Sequence, residues 1–271
     1  MKFRQLIRDV VVALLPRHSR LAYRAATKVV NLYNNDNEFD PERNGEYGLA
    51  RSVLPHCRVV FDVGANVGEW TAAALAINPL IEIHAFEPSP ATVSRLSARG
   101  FPQNVIIHPF ALGEQNETRD LFIFDDGSEG NSLYRRAGAP MEQKKREVVA
   151  VRTLDDYRAA NGVDRVDFLK IDTEGHELAV LRGAREALAA EAIGVVQFEY
   201  GGCYIDARVL LKDIWDLVSS TGSAYSFYKL YPEGLCRVPA YLQTLETFQY
   251  SNWAIVHRDW KKHIVELKDR A

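Results

Sequence analysis

Short, mostly apolar runs recur along this chain at 58–63, 82–86, 105–109, 166–171 and 193–198. Each is strand-length, and the first, with its β-branched residues, has the pattern of a central strand covered on both faces. Segments with helical spacing separate them, at about 67–77, 90–100, 177–190 and 208–219. Strands alternating with helices predict an α/β fold, a doubly wound and mostly parallel sheet. Tyr225–Tyr231 and Trp253–Val256 read as closing strands, which brings the expected sheet to seven, with room for one antiparallel edge. Residues 232–250 between them read mostly as loop. Two extra strands, Asp120–Phe124 and Val148–Val151, interrupt the alternation after the third run. Thr153 caps the helix that follows. Upstream, residues 1–33 read as helical and 34–45 as a polar link full of turn formers. The expected division is a helical extension and linker at 1–43, a main domain at 44–258 and a tail at 259–271.

Composition changes this picture little, but charge does. The chain has 271 residues and a net charge of −3. Residues 1–30 carry Lys2, Arg4, Arg8, Arg17, Arg20, Arg24 and Lys28 against Asp9 alone, a net +6 that leaves −9 on the rest. An acidic main domain repels phosphates, so no nucleic-acid partner is expected. The apolar run Val10–Leu15 is too short to span a membrane. The basic segment is expected to pack on the main domain or a second subunit, with weak membrane-surface contact as the alternative. Cys57, Cys203 and Cys236 form no zinc spacing and no disulfide framework, consistent with reduced thiols and a cytoplasmic location.

The chemistry gathers at strand ends, where open α/β sheets bind ligands. The first strand runs into Asp62-Val63-Gly64-Ala65-Asn66-Val67-Gly68. A dinucleotide fingerprint needs glycines at i, i+2 and i+5. Counted from Gly64, the later places hold Asn66 and Glu69, which disfavours a dinucleotide oxidoreductase on the same architecture. The second strand ends at Glu87, placed to accept both hydroxyls of a ribose. The fourth runs into Lys170-Ile171-Asp172-Thr173-Glu174-Gly175-His176-Glu177, and the fifth ends at Glu199.

The spacing Asp-x-Gly-x-x-x-Gly resembles motif I of Rossmann-like, class I S-adenosylmethionine-dependent methyltransferases. More specifically, Asp62–Gly68, Phe86-Glu87-Pro88, Asn131-Ser132-Leu133 and above all Leu169–Glu177 resemble the FkbM family of methyltransferases. Asn44-Gly45-Glu46 also fits, and the resemblance spans about 44–257. It implies S-adenosylmethionine as cofactor, held by Asp62, Gly64, Asn66, Gly68, Glu87, Ala111 and Asp172. It also implies O-methyl transfer to a hydroxyl of a small molecule such as a polyketide, of a saccharide, or of a lipid-linked glycan, with the saccharide or glycan expected first.

Methyl transfer aligns an acceptor hydroxyl with the methyl group, and a positioned base assists. His176 is the first candidate, followed by Asp172 and Glu199. The helix dipole favours a neutral His176 while Asp172, Glu174 and Glu177 oppose it, so the direction of its shift stays open. Glu174 and Glu177 also suit a helix start without further role. Lys170 is expected to pair with an acid on the neighbouring strand. Asp172, Glu199 and nearby acids could instead hold Mg²⁺, but no ligand set is fixed and the metal stays unknown. A nucleic-acid amino-methyltransferase would carry an Asn/Asp-Pro-Pro-aromatic turn where Asp172-Thr173-Glu174-Gly175 stands. A scaffold without chemistry is the remaining alternative.

Overall fold

The structure is a computed structural model describing residues 19–125, 127–128, 130–136 and 143–268, with Gln5 and Val10. The other residues before Ser19, the first part of the stretch expected as helical over 1–33, lie outside the described residues, as do 269–271. In chain order come α1 (Arg20–Asn34), α2 (Glu46–Val53), β1 (Val59–Val63), α3 (Glu69–Ile77), β2 (Glu82–Phe86), α4 (Pro90–Ala98) and β3 (Val105–His108). An insert adds β4 (Ala111–Leu112), β5 (Glu117–Ile123) and β6 (Lys145–Arg152). Alternation resumes with α5 (Leu154–Asn161), β7 (Val166–Ile171), α6 (Glu177–Arg182), α7 (Arg185–Ala189), β8 (Ile193–Tyr200), α8 (Cys203–Ala207) and α9 (Leu211–Ser220). The chain closes with β9 (Tyr225–Tyr231), β10 (Gly234–Val238), β11 (Ser251–His257) and β12 (Glu266–Leu267).

The main sheet has the order β12-β10-β9-β11-β8-β7-β1-β2-β3. Its strands β1, β2, β3, β7 and β8 are parallel, and β11 runs antiparallel between β8 and β9. The chain leaves β1 toward β3, then returns to lay β7 on the other side of β1. The order therefore reverses between β1 and β7, which opens a crevice beyond their carboxyl ends. Among the described residues the sheet has nine strands rather than the expected seven. Gly234–Val238, expected as loop, returns as a hairpin arm on β9, and Glu266–Leu267 adds to its outer edge. Ahead of that edge pair, Trp260 is buried in the core.

Side chains of successive strand residues alternate between two core layers. Phe61, Leu169 and Val196 join one layer, and Val60, Phe168 and Val195 the other. Cys203 sits in the first and Cys57 in the second. The insert strands form a separate sheet, β4-β6-β5, so Ala111-Leu112 is a strand rather than a turn.

The helix expected over 177–190 breaks into α6 and α7. A Cβ on Gly183 would stand 1.9 Å from the Gly113 carbonyl oxygen, so the chain bends where only glycine fits. Asp155 secures the restart. Its N–H donates to the Gly183 carbonyl, and its carboxylate accepts from the N–H groups of Glu186 and Ala187. These are the orphan donors of a helix start. The helix expected over 208–219 begins later, at Leu211, because Arg208 takes a left-handed φ of 57° after α8.

Helix α1 is closed by its own caps: the Ser19 hydroxyl accepts from Ala22 N–H, and Asn35 is left-handed. It buries no residue, so among the described residues this part of the basic segment does not pack into the main domain. Its root is nevertheless fixed: the Asn35 side-chain amide donates to the carbonyls of Asn44 and Leu230. Among the described residues, no helix is long and apolar enough to cross a membrane.

Candidate functional site

The turn after β1 is built for close approach. Gly64 has φ +82°, and a Cβ there would stand 1.8 Å from the Asp172 carbonyl oxygen. Glycine is the residue that permits this conformation and contact. The N–H groups of Gly64 and Ala65 both donate to the Phe86 carbonyl, which binds this turn to the end of β2. Asn66 is left-handed at φ 46°. Its N–H donates to one Glu87 oxygen at 3.1 Å, and Ser89 N–H donates to the other at 2.9 Å. Burial pushes Glu87 up to about 7, against the lowering effect of these two donors.

The turn after β7 is shaped from inside. Glu177 is fully buried and accepts from the N–H and hydroxyl of Thr173 and from Gly175 N–H. It is thus more than an acid suiting a helix dipole. Burial raises it to about 7. The insert closes over this turn: the Ser132 hydroxyl donates to the Glu174 carbonyl, and Arg136 pairs with Glu174 and Asp206.

Between the two turns lies a cleft that opens to solvent. It gathers Gly64, Asn66, Glu87, Ala111, Asp172 and His176. Asp62, Gly68 and Glu199 do not line it. Asp62 lies fully buried behind the turn and accepts from the Thr71 hydroxyl at 2.6 Å. Gly68, at φ +81°, makes room for Leu96 and Phe101, so its missing side chain serves packing. Glu199 belongs to a polar network beside the cleft.

Lys170 is the centre of that network. Its ammonium is 2.9 Å from Asp172 and 4.0 Å from Asp62 on the neighbouring strand. Burial alone would lower its pKa, but Asp172, Asp62, Glu46 and Glu199 together raise it. Burial, then the nearby Asp172 charge, holds Glu199 well above the usual carboxylate range. Tyr250 donates its hydroxyl to Glu199 at 2.9 Å, and Phe39 stacks on Tyr250 with ring centres 4.7 Å apart. Glu46 is buried at the start of α2, and burial raises it too. Sequence reasoning missed Glu46 and Tyr250 as members of the network. The motif Asn44-Gly45-Glu46 was the available signal for the first.

His176 is 2% exposed. Its Nδ1 is 3.1 Å from the Tyr134 hydroxyl, and its Nε2 is buried without a hydrogen-bond partner among the described residues. Burial, then the Arg119 charge, lowers its pKa to about 3. Desolvation therefore decides the direction that the sequence left open. Among the described residues, no group of three or more His, Cys, Asp or Glu side chains is arranged to hold a metal ion. The Lys170 ammonium already stands among the acids.

The cleft fits an adenosyl ligand by its chemistry. Glu87 can accept from sugar hydroxyls. Asn66 Oδ1 and Thr92 Oγ1, on two residues lining the cleft, are buried without partners among the described residues, and such atoms call for a polar ligand. The apolar side chains of Phe86, Leu112 and Leu133 line the same space.

Comparison with known proteins points the same way. The methyltransferase FkbM domain family matches residues 62–225. The hexuronic acid methyltransferase AglP of Haloferax volcanii is 25% identical over 189 residues, covering 69% of this chain and 73% of that protein. The 31-O-demethyl-FK506 methyltransferase FkbM of Streptomyces tacrolimicus is 27% identical over 157 residues, covering 48% and 60%. The 2-O-methyltransferase NoeI of Sinorhizobium fredii is 22% identical over 176 residues, covering 60% and 71%. The chain belongs to the FkbM methyltransferase domain family, and its methyl donor is S-adenosylmethionine.

Proposed function

We propose that the protein methylates a hydroxyl of a saccharide acceptor, with Asp172 orienting the hydroxyl and the Asp172–Glu199 pair receiving its proton. One observation carries this reading: Asp172 lines the cleft and is also hydrogen-bonded into the Lys170 network. The names of two similar proteins, a hexuronic acid methyltransferase and a 2-O-methyltransferase, support a sugar hydroxyl. Bound in the cleft, S-adenosylmethionine supplies an electrophilic methyl carbon. Glu87 holds the ribose, and Asn66 and Thr92 satisfy their free oxygens on the same ligand. Lys170 donates to Asp172 at 2.9 Å and so holds its carboxylate in place. Glu199, raised above the usual carboxylate range, is the more basic proton acceptor once it is deprotonated. Because the two acids interact, the proton belongs to the pair.

A second base reading keeps His176, which also lines the cleft. A second acceptor reading takes the hydroxyl of a polyketide or other secondary metabolite, supported by the name of the Streptomyces relative, a 31-O-demethyl-FK506 methyltransferase.

Screening acceptors with labelled S-adenosylmethionine, read by mass spectrometry of the product, separates sugar from polyketide. Glu87→Ala should weaken cofactor binding by about 1.5–3 kcal/mol, the scale of hydrogen bonds to a charged group. Unchanged affinity by calorimetry in a folded variant would remove the ribose assignment. Wild-type turnover should rise with pH through the raised Glu199 value, because deprotonated Glu199 is the active form. Glu199→Gln should abolish that limb, and Asp172→Asn should cost at least about 10²-fold. If instead Glu199→Gln keeps turnover and His176→Ala costs roughly 10²–10⁴-fold, the histidine is the base.

A further inference from the structure

Helix α1 stands outside the chemistry described so far. At 3.6 residues per turn, Leu21, Tyr23, Val29, Val30 and Leu32 share one broad side with the helix alanines. Arg20, Arg24, Thr27, Lys28 and Asn31 share the other. No acidic residue interrupts the helix. A soluble amphipathic helix normally turns its apolar side onto a core. Here that side faces outward: Leu21 is 80% exposed, Tyr23 73% and Leu32 66%. A helix of fifteen residues is marginal in water without a covering surface.

Charge selects the surface. Residues 1–30 carry a net +6 through Lys2, Arg4, Arg8, Arg17, Arg20, Arg24 and Lys28 against Asp9. Pairing this segment with the same segment of a second copy brings like charges together. An anionic bilayer offers the opposite sign at its surface and an apolar layer just beneath. The helix root adds a reason for the placement. Asn35 fastens it to Asn44 and Leu230, next to the Phe39–Tyr250–Glu199 chain of contacts. The helix thus leaves the body at the rim that carries the polar network.

We propose that α1 lies in the surface of an anionic membrane, its apolar side in the acyl boundary and Arg20, Arg24 and Lys28 among the headgroups. This inference is independent of the acceptor reading, because vesicle binding requires no turnover.

The test is co-sedimentation of the full chain with vesicles of phosphatidylcholine containing phosphatidylglycerol, and with phosphatidylcholine alone. Binding should be confined largely to the anionic vesicles and should weaken as salt is raised. The combined variant Arg20→Glu, Arg24→Glu, Lys28→Glu should lose on the order of a hundredfold in vesicle affinity. The variant Leu21→Ser, Val29→Ser, Leu32→Ser should lose vesicle binding while keeping wild-type affinity for S-adenosylmethionine, which shows that the body remains folded. Equal binding to both vesicle types would overturn the proposal, as would no binding to either. So would a dimer, seen by sedimentation equilibrium, that the serine variant dissociates while the wild type ignores vesicles; a second copy would then cover the helix.

Discussion

His176 is a histidine that its surroundings keep neutral. Burial lowers its pKa from the usual 6.5 to about 3, so the folded state resists a proton that the unfolded chain accepts. The stability it contributes is complete above pH 6.5 and drains away as pH falls toward 3. At pH 5 the loss is about 2 kcal/mol, from roughly 1.4 kcal/mol per pH unit below 6.5. In His176→Leu that part of the acid slope should vanish, whatever constant cost the substitution adds. Urea midpoints for both proteins between pH 5 and pH 8 check this, and parallel slopes would contradict it. The histidine and the acids around it were legible as a cluster, because they crowd one strand-to-helix turn. Its burial was not, since the insert residue Tyr134 and the Arg119 charge come from distant sequence. For the same reason Lys170 was legible as one partner of a pair, whereas Glu46, Glu199 and Tyr250 converge on it only through the fold. At Gly68 a ligand and the side chains of Leu96 and Phe101 ask the same thing, no Cβ, so sequence alone does not separate the two demands.

Elements that depend on local pattern were read well. Val59–Val63 and Val166–Ile171 became strands, and Thr153 caps α5 by accepting from Asp156 N–H. Two elements were hidden for physical reasons. Strand β10 follows a tight turn and carries Cys236 and Arg237 in a short stretch, so it lacks a periodic apolar signal. Its pairing to β9 makes it a strand. The break between α6 and α7 is invisible because Glu177–Ala190 keeps helical periodicity throughout. It is imposed from outside, by the Gly113 carbonyl pressing on Gly183. Gly183→Ala therefore tests the break. Its φ is −74°, so conformation is no obstacle, and the new methyl would meet backbone that cannot rotate aside. The cost should reach the upper end of overpacking, about 3 kcal/mol. A denaturation midpoint within experimental scatter of wild type would show that the two turns move apart freely.

At the scale of the whole molecule, the doubly wound architecture followed from alternation alone, and its switch point located the cleft. The strand count did not follow, because the outer edge is built from β10 and β12, which join the sheet through nonlocal pairing. The charge division between a basic start and an acidic remainder was equally plain in the sequence. That the basic helix would stand clear of the body was not, because amphipathic spacing states that a face needs covering and leaves the cover unnamed.

The three free cysteines make this protein its own reporter of opening. Cys57 and Cys203 lie in opposite core layers of one sheet, and burial raises both thiols above their ordinary range. Cys236 is half-buried on the edge hairpin. Alkylating reagents act on the thiolate and need access, so native protein should take up one label quickly, at Cys236. The other two labels then time the separate breathing of the two layers. Cys203 sits on the five-residue α8 at the rim of the site, whereas Cys57 leads directly into β1. Short peripheral elements open at lower free energy than central ones. Cys203 should therefore label before Cys57 in a peptide-resolved mass-spectrometric time course, and S-adenosylmethionine should slow the first more than the second. Identical rates would mean that both layers open only when the whole sheet does.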